Sequence, residues 1–239
     1  DHSVSVFQEM YPDIPVHQSL ENLGYAAGNN LAISQLLQRQ DITHYWILNN
    51  DCEVTPDALT ALMQVSEKQP KALVGSVVQY PDGRFQRIGR KLNALKTDLK
   101  DYSQAVLNTS EMAINIDSLT GCSWLIPAQA FRELGLLPEA YFLYYEDNAF
   151  RFHARKHGWQ CLVATQSIVF HAESLTTQRH KPLSAYYYHR GRLMFLKSVL
   201  PKFVFQWIIL YTVFRLLRSS VKALLSKSHR RYYKAIHSA

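Results

Sequence analysis

Short apolar runs alternate along the chain with stretches in which apolar residues recur every three or four positions, a pattern that predicts α/β architecture. From Asn29, "NNLAISQLLQRQ" reads as a helix, and "HYWIL" from His44 follows it as a strand. A second helix is predicted in "TPDALTALMQVSEK": Thr55 caps it, Pro56 occupies its first turn, and Ala58, Leu59, Leu62, Met63 and Val65 form its apolar side. "ALVGSVVQY" from Ala72 reads as a strand, and "PDG" from Pro81 turns it into a hairpin. "GCSWLI" from Gly121 is a further strand, backed by the short helix "PAQAFREL" that Gly135 closes. "YYEDNAFRFHARKHG" from Tyr144 predicts a helix that starts at Glu146 and Asp147 and ends at Gly158. No internal repeat or low-complexity stretch interrupts this alternation.

Beyond Arg179 the pattern changes. "FVFQWIILYTVF", residues 203 to 214, is almost wholly apolar and is bracketed by Lys202 and Arg215. It is too short to cross a bilayer core, which takes roughly 20 residues. Wound as a helix, Phe203, Trp207, Leu210, Phe214, Leu217, Val221 and Leu224 form one stripe, and Arg215, Arg218 and Lys222 another. Charge sharpens the division. Residues 179–239 hold thirteen of the 26 Lys and Arg and none of the 19 Asp and Glu, so the tail is net +13 and the first 178 residues net −6. The sequence thus divides into an α/β domain over 1–178 and a basic, aromatic-rich helical extension over 179–239. The extension suits a helix lying in a membrane interface with its cations on anionic lipid; the alternative is a helix packed on its own domain. Nucleic acid is not an expected partner, because the dominant feature is an apolar face that phosphate binding does not require, despite "RRYYK" from Arg230.

Composition is ordinary for a globular chain, 47% hydrophobic and 12% aromatic over 239 residues, enough for one sizeable core plus an appendage. Cys52, Cys122 and Cys161 lie far apart without C-x-x-C spacing, which argues against a disulfide framework or a structural zinc site and fits a reducing compartment. Asp1-His2-Ser3-Val4 carries no signal-peptide pattern.

Candidate chemistry begins where the strand "HYWIL" breaks into "NNDCEV". Ligands of open α/β sheets bind beyond the carboxyl ends of strands, and Asp51 and Glu53 stand just past such an end. Carboxylates there can hold a hard divalent cation, which in turn holds a diphosphate; the plainer reading is helix-start capping. In "ENLGYAAGNN" from Glu21, Gly24 and Gly28 lie among small residues and amides at a helix start, where backbone N–H groups can approach a nucleotide or merely make a tight turn. Glu146 and Asp147 are either dipole partners or a pair of which one takes a proton from a substrate hydroxyl. His171 ends the apolar run of "SIVFHAES", where a lone histidine is commonly structural.

Taken in order, these motifs resemble the inverting family-2 glycosyltransferases of the GT-A fold, especially their rhamnosyltransferase-like bacterial branch, over roughly residues 1 to 178. The resemblance implies a Rossmann-like mixed sheet flanked by helices. "ENLGYAAGNN" is similar to the family's donor segment, which makes Asn22, Gly24, Gly28 and Asn30 donor-binding candidates. "LNNDCEV" is similar to its D-x-D element, with Asp51 on the donor and Asp51, Glu53 and His171 as ligands of Mn²⁺ or Mg²⁺. "GCSWLIP" resembles the acceptor-side strand and implicates Gly121, Cys122 and Trp124; "YYEDNAF" resembles the E-D motif, with Asp147 as catalytic base and Glu146 on the acceptor. The family's first strand and its D-N-x-S element are not visible ahead of "DHSV", so the chain is expected to be N-terminally incomplete. The implied activity is transfer of a sugar, rhamnose in that branch, from a nucleoside-diphosphate donor to a lipid-linked saccharide or polysaccharide acceptor. That activity is expected at the cytoplasmic face of a bacterial inner membrane. The rival readings are a catalytically inactive membrane-bound relative and a nucleotidyltransferase, the latter unsupported because no G-x-x-x-x-G-K loop is present.

Overall fold

The computed structural model describes residues 2–93, 98–172 and 181–225; "RRYYK" lies outside them. The core is a sheet in the order β1 (His44–Leu48), β9 (Ser123–Pro127), β3 (Ala72–Gln79), β10 (Gln160–His171), β2 (Cys52–Val54). β4 (Phe85–Arg87) pairs with β3, and β7 (Ala113–Asn115) pairs with β10. β3 and β10 run parallel and the other pairings are antiparallel, so the sheet is mixed. A smaller sheet, β6 (Asp98–Asp101), β5 (Gly89–Asn93), β8 (Ser118–Leu119), stands beside it.

Strand alternation sorts the core into two faces. Val74, Leu125, Leu162 and Ala164 meet Leu62 and Val65 of α3 (Ala58–Lys68) on one side. Leu73, Val77, Trp124, Ile126 and Val163 meet Phe131 of α4 (Ala128–Leu134), Phe150 of α5 (Glu146–Lys156) and Ile33 of α2 (Gly24–Leu36) on the other. Burial of each such aliphatic or aromatic side chain is worth about 1.5–3 kcal/mol, and this two-sided cover explains why β3 is buried from Ala72 to Val78. By contrast α1 (Ser3–Met10) buries none of its residues.

Two boundaries differ from the sequence reading, each for a local reason. α2 begins at Gly24, not Asn29. Asn22 Oδ1 accepts the Gly24 N–H at 3.0 Å, Gly24 takes φ +76°, and the Tyr25 N–H donates to the Phe142 carbonyl at 2.9 Å, so the first turn is anchored five residues early. Thr55 does not cap α3: its hydroxyl donates to the Ile168 carbonyl at 3.1 Å and ties the strand end to β10, and the helix starts at Ala58. Gly135 closes α4 at φ +82° and the 81–83 turn joins β3 to β4, as the pattern predicts.

The extension forms α6 (Lys181–Val199) and α7 (Lys202–Leu225). Along α7 the stripe is exposed: Phe203 67%, Trp207 71%, Leu210 64%, Phe214 59%, Leu217 62% and Val221 54%. Among the described residues no helix is long and apolar enough to cross a membrane. α6 instead lies on the domain, with Tyr188, Met194, Phe195 and Val199 packed around Tyr141, Tyr144 and Tyr145.

Candidate active site

At the end of β1 the Asn49 N–H donates to the Cys122 carbonyl at 2.9 Å and the Asn49 carbonyl accepts from the Cys52 N–H at 3.1 Å. This tight turn returns the chain as β2, antiparallel to the last residues of β10, with Cys52 opposite His171 and Glu53 opposite Phe170. Asp51 is thereby laid against His171, its Oδ1 3.3 Å from Nε2. Gln86 decides what that contact is. Its Nε2 donates to the His171 carbonyl at 3.3 Å, so its Oε1 faces Nδ1 at 3.0 Å, and Nδ1 carries the proton. In the neutral ring the lone pair of Nε2 faces Asp51 Oδ1, a buried oxygen with no hydrogen-bond partner. Two acceptors facing one another could hold a cation. Cys52 Sγ completes a trio whose ligand atoms all lie within 4.8 Å of one another. Carboxylate and imidazole donors suit Mn²⁺ or Mg²⁺, and the Gln86 bond is the kind of outer contact that fixes the tautomer of a metal-binding histidine.

Glu53, expected to share this role, does not reach it. Because Asp51 belongs to the turn, strand alternation begins at Cys52, which shares the His171 face; Glu53 points to the opposite, exposed side.

The second acidic pair is set by an unusual backbone. Tyr144 and Tyr145 are consecutive left-handed residues, φ 67° and 72°, a conformation that persists in non-glycine residues only where the surroundings enforce it. Here α6 enforces it. Tyr145 packs on Tyr188 and Phe195 at ring distances of 5.4 and 5.8 Å, and a Cβ on Gly191 would stand 2.8 Å from the Tyr144 carbonyl oxygen. The turn starts α5 with both acids facing the cleft. Asp147 Oδ2 meets Arg151 Nη2 at 2.6 Å, and Oδ1 accepts from the backbone and side-chain N–H groups of Asn148, both at 2.6 Å. Arg151 is itself wholly buried, its guanidinium 5.1 Å from the Trp124 ring. Asp147 also comes so close to Gly121 that a Cβ there would be 3.1 Å from Oδ2. Glu146 is buried with Oε2 unbonded; burial, and then the charge of Asp147, push its carboxyl up to about 8, so it is protonated at neutral pH.

One cavity of about 430 Å³ joins the two ends. Gly121, Cys122, Glu146, Asp147 and His171 line it, with Asp51 directly behind His171. Burial and a hydrogen bond with Cys52 hold the Cys122 thiol well above its usual range, the hydrogen bond contributing most. Other predicted positions lie elsewhere. Asn22 and Gly24 build the turn on Phe142, and Gly28 is an exposed residue inside α2. Asn30 is buried, bonded to Leu137 N and O at 3.0 and 2.8 Å and to Glu139 Oε1 at 2.9 Å. Of that segment Tyr25 reaches the cavity, its hydroxyl donating to the Gly121 carbonyl at 2.5 Å. Trp124 is completely buried beneath α5 and does not line the wall. Sequence reasoning missed Asn49, Arg87, Arg90 and Tyr188, which do line it, and Gln86 and Arg151, which hold its charged groups.

Residues 1–195 match the family described as Glycosyltransferase like family 2. The N-acetylglucosaminyl-diphospho-decaprenol L-rhamnosyltransferase of Mycobacterium tuberculosis is 25% identical over 211 residues, covering 79% of this chain and 68% of that protein. The low-salt glycan biosynthesis hexosyltransferase Agl10 of Haloferax volcanii is 24% identical over 152 residues, 61% of this chain and 48% of that one. Among solved structures, GalNAc-T7 with UDP, GalNAc and Mn²⁺ aligns with a TM-score of 0.56 at 14% identity over 72% of this chain. S. aureus TarS 1–349 in complex with UDP gives 0.51 at 11% over 86%. These likenesses show a GT-A-like fold. The chain spans 34% of the GalNAc-T7 chain and 56% of that TarS chain.

Proposed function

The chain belongs to glycosyltransferase family 2, and from that premise we propose that it moves a sugar from a nucleoside-diphosphate donor to a hydroxyl of a lipid-linked saccharide or polysaccharide, with inversion. The observation that carries this reading is the convergence of His171, which Asp51 contacts, with Glu146 and Asp147 on one cavity, though 96 positions separate Asp51 from Asp147 along the chain. Rhamnose is the sugar we favour, because the curated relative just described is a rhamnosyltransferase that acts on a lipid diphosphate saccharide.

Asp147 takes the proton of the acceptor hydroxyl as its oxygen attacks the anomeric carbon, while the bond from that carbon to the diphosphate oxygen breaks on the far side. Arg151 and Asn148 hold the Asp147 carboxylate so that it does not swing away from the attack line. Protonated Glu146 donates a hydrogen bond to an acceptor oxygen. Asp51 and His171 would hold Mn²⁺ or Mg²⁺, which supplies Lewis-acid neutralisation of the leaving diphosphate. The exposed stripe of α7, with Arg215 and Arg218 exposed beside it, lies in the interface of an anionic membrane, bringing the cavity to a lipid-linked acceptor at the cytoplasmic face.

Release of nucleoside diphosphate from a panel of nucleotide-sugars, with and without Mn²⁺ and with a prenyl-diphosphate saccharide as acceptor, tests the reading. Acceptor-dependent release that chelation abolishes is expected; no release from any donor would overturn it. Flotation with anionic vesicles tests the membrane arm: Arg215→Glu together with Arg218→Glu weakens binding by roughly tenfold or more, at about 1 kcal/mol per lost cation.

A further inference from the structure

The cavity lining carries two arginines that the transfer step leaves unused. Arg87 ends β4 and Arg90 lies on β5, three residues on, and both line the cavity. Their one carboxylate partner among the described ion pairs is Asp101, which both share: Nε to Oδ1 is 3.5 Å for Arg87 and 3.0 Å for Arg90. Asp101 is itself half exposed, whereas the two arginine side chains are 30% and 25% exposed. At 3.5 Å the Arg87 contact is no hydrogen bond, and its Nε is a buried donor without an acceptor. Two partly desolvated guanidinium groups leaning on one peripheral carboxylate leave a positive charge in the cavity lining. Of the other acids, Asp147 is ion-paired with Arg151 and is the least of the influences on Arg90, and Asp51 lies against His171. Tyr188 and Asn49 add polar groups to the same wall.

We propose that Arg87 and Arg90 form a metal-independent binding site for a phosphate or diphosphate group. The fork of a guanidinium matches phosphate oxygens two at a time, and an anion here relieves the repulsion between the pair. The geometry is distinct from the Asp51–His171 end, where an anion needs a cation to bridge it. Only the origin of the diphosphate rests on the transferase reading: it belongs either to the leaving nucleotide or to a lipid-diphosphate acceptor.

Inorganic pyrophosphate titrated into the full chain in EDTA, followed calorimetrically, tests this. Binding is expected in the parent and in Asp51→Asn, and a loss of about tenfold or more is expected in Arg87→Lys with Arg90→Lys, which keeps both charges but removes the forks. Arg87→Met with Arg90→Met, checked for a parental melting transition, abolishes it. Absence of binding in the parent, or equal binding in the lysine pair and the parent, overturns the proposal. Competition separates the sources: displacement of pyrophosphate by geranyl diphosphate and not by nucleoside diphosphates assigns the site to the acceptor, and the reverse pattern to the donor. A chain that binds pyrophosphate in EDTA yet releases no nucleotide from any donor keeps this site and loses the transferase reading.

Discussion

The two acidic ends of the cavity are built in opposite ways. At Asp147 one carboxylate oxygen accepts from both N–H groups of Asn148 and the other is ion-paired with the buried Arg151 guanidinium. At Asp51 one buried oxygen has no hydrogen-bond partner and stands 3.3 Å from Nε2 of the His171 ring. A carboxylate held by fixed donors is oriented and charged in the absence of any ligand, which is what proton abstraction at a defined angle requires. An underbonded carboxylate beside an imidazole carries unmet electrostatic demand, which a cation would meet. The residue type is the same, and the surrounding donors separate the roles.

The largest test of this contrast is Asp147→Asn. It keeps the hydrogen bonds to Asn148 in part but removes the base, and is expected to lower turnover by about 10² to 10⁴ while nucleotide binding by titration stays within a few-fold. A loss below tenfold would assign the proton to another group. Next comes the cation end. Asp51→Asn and Gln86→Leu are each expected to weaken Mn²⁺ binding by about 10- to 100-fold, read from the electron paramagnetic signal of free manganese, whereas Glu53→Gln leaves it unchanged. Equal effects at 51 and 53 would contradict the strand register. The smallest effect concerns Glu146, whose folded carboxyl is raised to about 8 from 4.5. Since the folded state holds this proton more tightly than the unfolded chain, its contribution to stability is full below pH 4.5 and is lost as pH rises through 8. Thermal melting should therefore decline over that window in the parent and flatten in Glu146→Gln, by a few degrees at the alkaline end; a parallel pair of curves would refute the buried, uncharged state.

Much of the fold was legible in the sequence because it rests on local periodicity. The strand at 44–48, the buried run from Ala72, the 81–83 turn and the helix from Glu146 all follow from spacing that no tertiary contact has to supply. Asp147 and His171 were identified by motif resemblance and lie on the cavity wall. What sequence concealed depends on register and on distant partners. Whether Asp51 or Glu53 faces the histidine turns on where a turn ends and a strand begins, one residue either way. Asn30 looks like a ligand-facing amide until Leu137 and Glu139, more than a hundred positions away, claim its bonds. Arg87, Arg90 and Gln86 sit in an unremarkable hairpin whose position over the cleft is fixed by pairing with β3 and β8, and Arg151 looks like a solvated helix cation until Trp124 covers it.

The seat that Gly191 offers to the Tyr144–Tyr145 turn has a practical corollary for anyone shortening this chain. Trimming it ahead of α6 leaves the β-sheet and its hydrophobic packing whole but withdraws the brace from two tyrosines whose backbone relaxes toward ordinary angles once released. Such a truncation is expected to misalign the acids at 146 and 147, so a folded sample of it is no guide to the competence of the intact cleft.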